Sequence, residues 1–243
     1  MAAPLTEAAI ERIRSLILSG RLVPGERLPA EAELSAELGV SRSSLREAVR
    51  GLVTAGVLDV RRGDGTYVTS LTPSLLLTGI GAAVELMRDD SMLDLLESRR
   101  MIEPNVTALA ALRATPEQLR EIRSHLDLMA SASTHEDLIR HDTDFHAAVA
   151  RATQNPVLAS ILTGISHGTV RTRAWRGIII TDANNRAVEE HRSIFAAIEA
   201  RDPELARSAA LMHVSSVESW LRMMLADRGR RPSHPSGDLS RAS

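Results

Sequence analysis

Two side chains in the second half of the chain have the types and spacing of metal ligands, and two later histidines share the ligand type. Asp142 and His146 are four residues apart, so on a helix both side chains project from one face. His191 and His213 fall on two later predicted helices, beside or within apolar stripes that we expect to turn inward. One carboxylate and three imidazoles would suit zinc, nickel or manganese and leave positions for water or another ligand. The alternative is that these histidines are hydrogen-bonded core residues, the more common state of a lone histidine on an apolar face.

A second group of side chains, close to the N-terminus, has the chemistry of nucleic-acid binding. The net charge is −2, but all 29 basic residues are arginines, and five of them lie within a short stretch: Arg42, Arg46, Arg50, Arg61 and Arg62. Arg42 and Arg46 are one helical turn apart, and an arginine can donate two hydrogen bonds to guanine in the major groove. Ser41, Ser43 and Ser44 lie at the start of the same helix, where hydroxyls and free backbone N–H groups suit phosphate contacts. The alternative for an arginine-rich helix is a solvated face.

The elements that would carry these arginines are those of a winged helix-turn-helix. Apolar spacing predicts a first helix over Leu5 to Leu18, with Thr6 as its cap. The segment "AEAELSAELG" predicts a short second helix that ends at Gly39, and Ser41 would cap a third helix over "RSSLREAVRGLVTAG". After Gly56, two short β-prone runs flank "RRGDG", which is typical of a hairpin.

From residue 71 onward the sequence predicts only long amphipathic helices. Thr115 to Gln118 is a capping box with proline at the first helical position, and Asn155-Pro156 and Asp202-Pro203 mark further helix starts. These signals predict an antiparallel bundle of six or seven helices. The polar segment from Arg228 has no periodicity and is predicted to be disordered. The predicted organisation is a DNA-binding domain, a helical domain and a tail, at residues 1–70, 71–227 and 228–243.

The composition excludes several classes of protein. There is no cysteine, so disulfides, thiolate metal sites and cysteine nucleophiles are excluded, and a reducing compartment is expected. No apolar run approaches the roughly 18 residues of a membrane span, and no signal peptide is evident. We therefore expect a soluble cytoplasmic protein with no membrane partner.

The run "LILSGRLVPGERLPAEAELSAELGVSRSSLREAVRGLVTAGVLDVRRGDGTYV" closely resembles the DNA-binding domain of the GntR family of bacterial regulators. In the predicted wing, Gly63 and Gly65 would let the backbone approach the duplex closely, and Arg62 could enter the minor groove. Ala32 stands where the family usually has an arginine, which puts the family's usual operator sequence in doubt. We expect a homodimer that binds a pseudo-palindromic operator in double-stranded DNA through these residues: Arg42, Ser43, Ser44, Arg46, Arg62, Gly63 and Gly65.

From about Leu75 to about Leu225 the chain resembles the FCD effector domain of the FadR branch of the same family. The resemblance rests on "LLESRRMIEPNVTALAALRAT", "HDTDFHAAVARATQNPVL" and "EEHRSIFAAIEARDPELARSAALMHV". The segment "TPSLLLTGIGAAVELM" favours the seven-helix form of that domain, with an extra leading helix. The resemblance implies a divalent metal cofactor, with zinc first and nickel or manganese as alternatives, held by four ligands: Asp142, His146, His191 and His213.

The predicted effector is a small carboxylate bound at this pocket. Arg99 would anchor the carboxylate through a bidentate contact, or else it pairs with a nearby glutamate. Arg171 and Arg173 are weaker candidates for effector binding, and Asn155 either caps a helix or lines the pocket. The other histidines match no ligand position and are expected at the surface: His125, His135, His141, His167 and His234.

The sequence thus predicts a ligand-responsive transcriptional regulator, a repressor by preference, and not an enzyme. A metal-dependent hydrolase is the alternative from another class, because an ion with open positions can activate water. We find no general base, nucleophile elbow or phosphate loop beside the four candidate ligands. A second alternative is a metal sensor, in which the ion is the signal and not a fixed cofactor.

Overall fold

The computed structural model describes residues 3–77, 91–170 and 183–230, together with residues 79 and 83. Within these ranges the chain forms ten helices and one two-stranded antiparallel sheet. Contacts divide the chain into two compact units, residues 1–86 with 155–164 and residues 87–154 with 165–243. The predicted fold class, a winged helix-turn-helix followed by an all-helical domain, is confirmed.

The first unit contains the helix-turn-helix. Its elements in chain order are α1 (Ala3–Leu18), α2 (Glu31–Leu38), α3 (Arg42–Thr54), β1 (Leu58–Arg61), β2 (Gly65–Val68) and α4 (Pro73–Leu76). Gly39 ends α2 with a φ of 60°, a left-handed conformation that glycine adopts without steric cost. Ser41 then caps α3, because its Oγ accepts a hydrogen bond from the Ser44 backbone N–H at 3.1 Å. One apolar core joins these elements and includes Ile13, Leu34, Leu45, Leu52 and Leu58.

The wing is the hairpin of β1 and β2. The two strands pair from Leu58 opposite Val68 to Arg61 opposite Gly65. Leu58 and Val68 are both buried, so the base of the hairpin is anchored in the core. At the tip Gly63 has a φ of 77°, and no heavy atom lies within 4 Å of the position that its Cβ would take. The hairpin therefore has a fixed base and an open tip.

Six further helices follow in the described residues: α5 (Met92–Arg113), α6 (Pro116–Ala130), α7 (His135–Ala152), α8 (Pro156–Gly168), α9 (Ala183–Glu199) and α10 (Pro203–Arg230). In the second unit α5 packs chiefly against α10, α6 against α7, and α9 against α10. Their apolar core includes Ile122, Phe145, Val149, Ile194 and Ile198. None of the helices in the described ranges is long and apolar enough to cross a membrane.

The helix starts follow the predicted capping chemistry. Thr115 Oγ1 accepts from the Gln118 backbone N–H at 3.2 Å, and Gln118 Oε1 accepts from the Thr115 N–H at 2.9 Å, which completes the capping box. Asn155 Oδ1 accepts from the backbone N–H groups of the first turn of α8. Asp202 Oδ1 does the same for α10. These three predicted helix starts are therefore confirmed.

Two helix boundaries differ from the prediction. Helix α1 begins at Ala3, so Thr6 lies inside the helix and does not cap it. Helix α10 continues to Arg230, past the predicted start of the tail at Arg228. Half of the segment predicted as a leading helix before Arg99 lies outside the described residues, as do residues 231–243. Helix ends read from a sequence are uncertain by one or two residues, and α10 continues through Gly229, which the sequence offers as a stop signal.

Candidate functional site

The N-terminal half of α3 presents arginines to solvent. Arg42, Ser43 and Arg46 are exposed, in agreement with their expected surface position. Ser44, in contrast, is only 8% exposed and shares the buried face of α3 with Ala48. The Ser44 side chain thus faces the core, because residues four apart lie on the same side of a helix, and its contact with phosphate stays a prediction.

Arg46 is engaged by a carboxylate of the preceding helix. Its Nε lies 2.8 Å from Oε2 of Glu31 in the first turn of α2, and both side chains are well exposed. The hydrogen bond and the charge of Glu31 raise the pKa of Arg46. An exposed ion pair of this kind contributes little free energy, so the guanidinium can exchange Glu31 for another acceptor. The sequence analysis did not identify Glu31 as the partner of Arg46.

A concave surface lies between α2, α3 and the wing, and three arginines line it: Arg27, Arg46 and Arg50. Gly65 also lines this surface, and a Cβ there would lie 2.5 Å from Nε of Arg27. Glycine at position 65 therefore makes room for the Arg27 side chain beside the wing. Arg62 and Gly63 are exposed at the tip of the same hairpin. Sequence reasoning missed Arg27, because it lies in an irregular segment that has no periodicity to assign it to a face.

In the second unit four buried side chains converge between α7, α9 and α10. His191 Nε2 lies 3.1 Å from His146 Nε2 and 3.1 Å from Asp142 Oδ1, and Asp142 Oδ1 lies 3.8 Å from His146 Nε2. The ring of His213 is centred 4.5 Å from that of His191 and 5.1 Å from that of His146. All four residues are at most 4% exposed. The structure thus brings together the four residues that the sequence analysis named as ligands.

The other ring nitrogen of each histidine faces an acceptor. His146 Nδ1 lies 2.7 Å from Glu103 Oε1, His191 Nδ1 lies 2.5 Å from the Ala187 carbonyl oxygen, and His213 Nδ1 lies 2.8 Å from Glu190 Oε2. An acceptor at Nδ1 holds the proton on that nitrogen, so the lone pair of each ring is on Nε2. Three Nε2 lone pairs therefore point into one buried space. Such second contacts are typical of metal-binding histidines.

The electrostatics of the cluster keep the imidazoles neutral. Burial lowers the pKa of His146 to about 4 and that of His213 well below its usual value. Burial alone would raise the pKa of the Glu103 carboxyl, but Arg99 and His146 together hold it well below its usual range. An ionised Glu103 carboxylate therefore lies beside the neutral imidazole of His146, and the His213 ring is neutral as well. A neutral imidazole is the protonation state that a metal ion requires of a histidine ligand.

The geometry fits a divalent ion of the zinc class. Two unprotonated nitrogens 3.1 Å apart repel each other unless a cation lies between them. Ligands arranged tetrahedrally around zinc at 2.0–2.1 Å are separated by about 3.3 Å, close to this distance. His213 Nε2 is buried and has no hydrogen-bond partner among the described residues, and an ion would satisfy it.

Arg99 is completely buried and forms an ion pair inside the unit. Its Nε and Nη2 lie 2.8 and 2.7 Å from Glu103 Oε2, and its Nη1 donates to Thr169 Oγ1 at 2.9 Å. Two roles for Arg99 were considered from the sequence, an anchor for an effector carboxylate and a partner of a nearby glutamate. In the structure Arg99 pairs with Glu103. Through Glu103, Arg99 acts on the orientation of His146, whose Nδ1 contacts the other carboxylate oxygen.

Two family models match the chain over most of its described length. Residues 5–68 match the gntR family of bacterial regulatory proteins, and residues 94–216 match the FCD domain. The chain belongs to the GntR family. It is a DNA-binding transcriptional regulator of that family and not an enzyme.

Named relatives of this GntR-family regulator cover nearly all of its sequence. A protein of Escherichia coli (strain K12) named as a regulator of the L-lactate dehydrogenase operon is 34% identical over 93% of this chain and 90% of its own. The galactonate operon transcriptional repressor of the same strain is 32% identical over 87% of this chain and 94% of its own. Among solved structures, a GntR protein of Streptococcus agalactiae has a TM-score of 0.63 at 31% identity, and covers 88% of this chain and 99% of its own.

The remaining predicted residues of the regulator fall outside the metal cluster or outside the described ranges. Asn155 caps α8, which is one of the two roles considered for it from the sequence, and a place in the pocket stays a prediction. Arg171 and Arg173 lie outside the described residues. Three residues that contact the candidate ligands were not assigned a role from the sequence: Glu103, Ala187 and Glu190. Ala187 precedes His191 by four residues, so on a helix its carbonyl oxygen lies within reach of the His191 ring. This spacing is a signal that could have identified the contact.

Proposed function

We propose that this GntR-family regulator is a homodimeric repressor whose affinity for a pseudo-palindromic operator changes when a small carboxylate binds at a divalent metal ion. Asp142, His146, His191 and His213 hold the ion. The observation that carries the proposal is the convergence of three Nε2 atoms in a buried space, each ring being fixed by an acceptor at Nδ1.

The DNA-binding half of the proposal is supported by the concave surface of the first unit. Arg42 and Arg46 lie one turn apart on the exposed side of α3, where they can enter a major groove. Arg27 adds a cation on the same concave surface, although Ala32 removes the arginine expected there by resemblance. A dimer would place two such helices on two half-sites of the operator. The name of the galactonate operon repressor supports repression as the mode of action.

The metal half of the proposal follows from the donor set. One carboxylate and three imidazoles favour zinc, with nickel or manganese as alternatives. The bound ion supplies a Lewis-acid contact for one end of an effector carboxylate. Glu103 and Glu190 orient His146 and His213, and burial keeps both rings uncharged, with the Nε2 lone pair free to bind an ion. The chain's own contribution is therefore a buried, preoriented set of one carboxylate and three imidazoles.

A hydroxycarboxylate is the effector class that we favour. Two relatives are named for operons of L-lactate dehydrogenase and of galactonate, and both lactate and galactonate carry a hydroxyl beside the carboxylate. A carboxylate with an adjacent hydroxyl can bind a divalent ion through two oxygens. For regulation the effector must bind the two states of the dimer unequally, and couplings of about 1–3 kcal/mol are typical.

The deciding experiment is a thermal-shift screen of hydroxy acids and sugar acids on untagged protein, with and without a chelator. We expect a hydroxycarboxylate to raise Tm by several degrees in the metal-loaded protein and to lose that effect after chelation. Elemental analysis at neutral pH should find one ion per chain at this site in the parent, and none at this site in Asp142→Asn. Absence of any ion, both after purification and after titration, would contradict the metal-dependent mechanism.

DNA affinity separates the fixed cofactor from the metal-sensor alternative. For a resident cofactor, adding zinc without an acid should leave operator affinity nearly unchanged, whereas the acid should change it about 5-fold to 150-fold. A change of that size caused by zinc alone would favour the sensor. Sedimentation equilibrium of the same sample tests the dimer directly.

A further inference from the structure

A second cluster of metal-ligating side chains lies between α6 and α7. His125 on α6 faces His141 and Asp144 on α7, and one ligand atom of each residue lies within 4.8 Å of the other two. The two imidazole rings are centred 6.2 Å apart and inclined by 34°. All three side chains are half-buried, so the cluster is partly open to water. From the sequence alone, His125 and His141 are expected at the surface.

Helix geometry separates this cluster from the four inner ligands. At 100° per residue, His141 and Asp144 point roughly 150° away from the mean direction of Asp142 and His146 on the same helix. Helix α7 thus carries ligand pairs on nearly opposite faces, one toward α9 and α10 and one toward α6. Neither cluster can use the other's ligands without rotation of the helix.

One ring nitrogen of each histidine in the second cluster has no partner in the part of the chain that the structure describes. Nδ1 of His125 and Nδ1 of His141 are both buried and have no hydrogen-bond partner among the described residues. A buried polar atom without a partner costs free energy unless water or an ion satisfies it. His141 Nε2 is 3.4 Å from Arg140 Nη2, a long and weak contact, and the charge of Arg140 is paired with Asp137 at 2.8 Å.

We propose that His125, His141 and Asp144 form a second divalent metal site, which takes an ion of the zinc class and fastens α6 to α7. Two imidazoles and one carboxylate are a set that zinc binds in proteins, with water in the fourth position. Tetrahedral ligands are about 3.3 Å apart, and the ligand atoms lie within 4.8 Å of one another, so each pair must close by at most about 1.5 Å. Their half-buried positions leave room for that rotation. The ion joins two helices that are connected by residues 131–134.

The test counts zinc ions bound by the full-length, untagged, metal-free protein in equilibrium dialysis with elemental analysis. We expect two equivalents per chain for the parent and one for His125→Gln, with at least a 10-fold weaker affinity for the lost equivalent. His213→Gln should also retain one equivalent, bound at the second site of His125, His141 and Asp144. The double variant should retain none. His135→Gln is the matched control, because His135 lies on α7 outside both clusters, and it should bind two equivalents.

A thermal measurement isolates the second site. In His213→Gln, zinc should raise Tm, and adding His125→Gln should abolish the increase. If His213→Gln does not fold, Asp142→Asn serves as the inner-site variant. A parent whose only bound equivalent is retained in His125→Gln, or a zinc isotherm unchanged by His125→Gln, would overturn the proposal. Loss of zinc in His125→Gln with no change in His213→Gln would instead contradict the inner site and leave the second one standing.

Discussion

The two units contain arginine–glutamate pairs of the same length in opposite surroundings. Arg46 lies 2.8 Å from Glu31 with side chains 65% and 38% exposed, whereas Arg99 lies 2.7 Å from Glu103 with side chains 0% and 2% exposed. Water screens the first pair, so its partners can separate at little cost. Separating the second would leave a charge in the core. The distance between the charged atoms therefore does not show whether an ion pair can exchange its partners. The burial of the two side chains does show it.

The largest effect is expected from breaking the buried pair. Arg99→Ala leaves the Glu103 carboxylate buried beside His146 without its guanidinium, and we expect a loss of about 3–5 kcal/mol in the free energy of unfolding. Arg100→Ala is the control on the next residue, because Arg100 is 37% exposed and pairs with Glu218. We expect Arg100→Ala to lose far less of the free energy of unfolding than Arg99→Ala. Urea unfolding of both metal-free proteins makes the comparison, and equal losses would mean that burial does not set the strength of the pair.

Acid should destabilise the second unit next most strongly. Burial lowers the pKa of His146 from 6.5 to about 4, so between these values the unfolded chain binds a proton that the folded protein excludes. The contribution of His146 is complete above pH 6.5 and is lost as the pH falls toward 4. We expect a decrease of roughly 3 kcal/mol in the free energy of unfolding over this window.

Urea unfolding in the presence of a chelator, repeated from pH 7 to 4, measures this loss. The lowered pKa values of His213 and Glu103 act in the same direction. His146→Gln should therefore reduce the pH dependence without abolishing it. A parent protein whose stability stays constant down to pH 4.5 would show that the imidazole is not protected from protonation.

Removal of the exposed Arg46 side chain should weaken recognition of the operator and leave the fold intact. Arg46→Ala is expected to lower the preference for operator over random DNA about 10-fold or more, because a bidentate contact to a base edge is lost. The operator is first obtained by selection from a random library with the parent protein. Fluorescence anisotropy at fixed salt then gives both affinities. Arg14→Ala, which removes an arginine from another exposed ion pair, should keep the parent's preference.

The smallest effect concerns a local contact that can be predicted from the sequence alone. Thr115→Ala removes the hydroxyl that caps α6, and should lower the free energy of unfolding by about 1 kcal/mol. Ser208→Ala is the comparison, because its exposed hydroxyl only bonds the Glu204 carbonyl within α10. Denaturant midpoints of the two variants should differ clearly. Identical midpoints would mean that the capping box contributes nothing in this context.

Local signals predicted most of the fold. Ser41, Thr115 and Asp202 cap helices as their sequence contexts predict, because a cap depends only on residues three or four positions away. The inward turn of Ser44 was missed, although its spacing of four from Ala48 gives the signal. Thr6 was misassigned as a cap, since the preceding residues can continue the helix.

The candidate metal site was predictable only in part. Asp142 and His146 could be paired by their spacing, whereas His191 and His213 needed the family resemblance to join them. Glu103 lies on a different helix from His146, 43 positions earlier in the chain, and no periodicity connects them. Glu31 and Arg46 are likewise brought together only by the packing of α2 on α3. Such contacts depend on tertiary structure, which the pattern of a single sequence does not contain.

The contacts of Arg99 also have an evolutionary consequence. Thr169 accepts from Arg99, Arg99 pairs with Glu103, and Glu103 contacts His146, so each side chain in this line holds the next. A substitution at one of these positions would remove a partner from its neighbour and favour a compensating change there. We therefore expect the four positions to covary among related chains, with Thr169 free to change only when position 99 no longer carries a guanidinium.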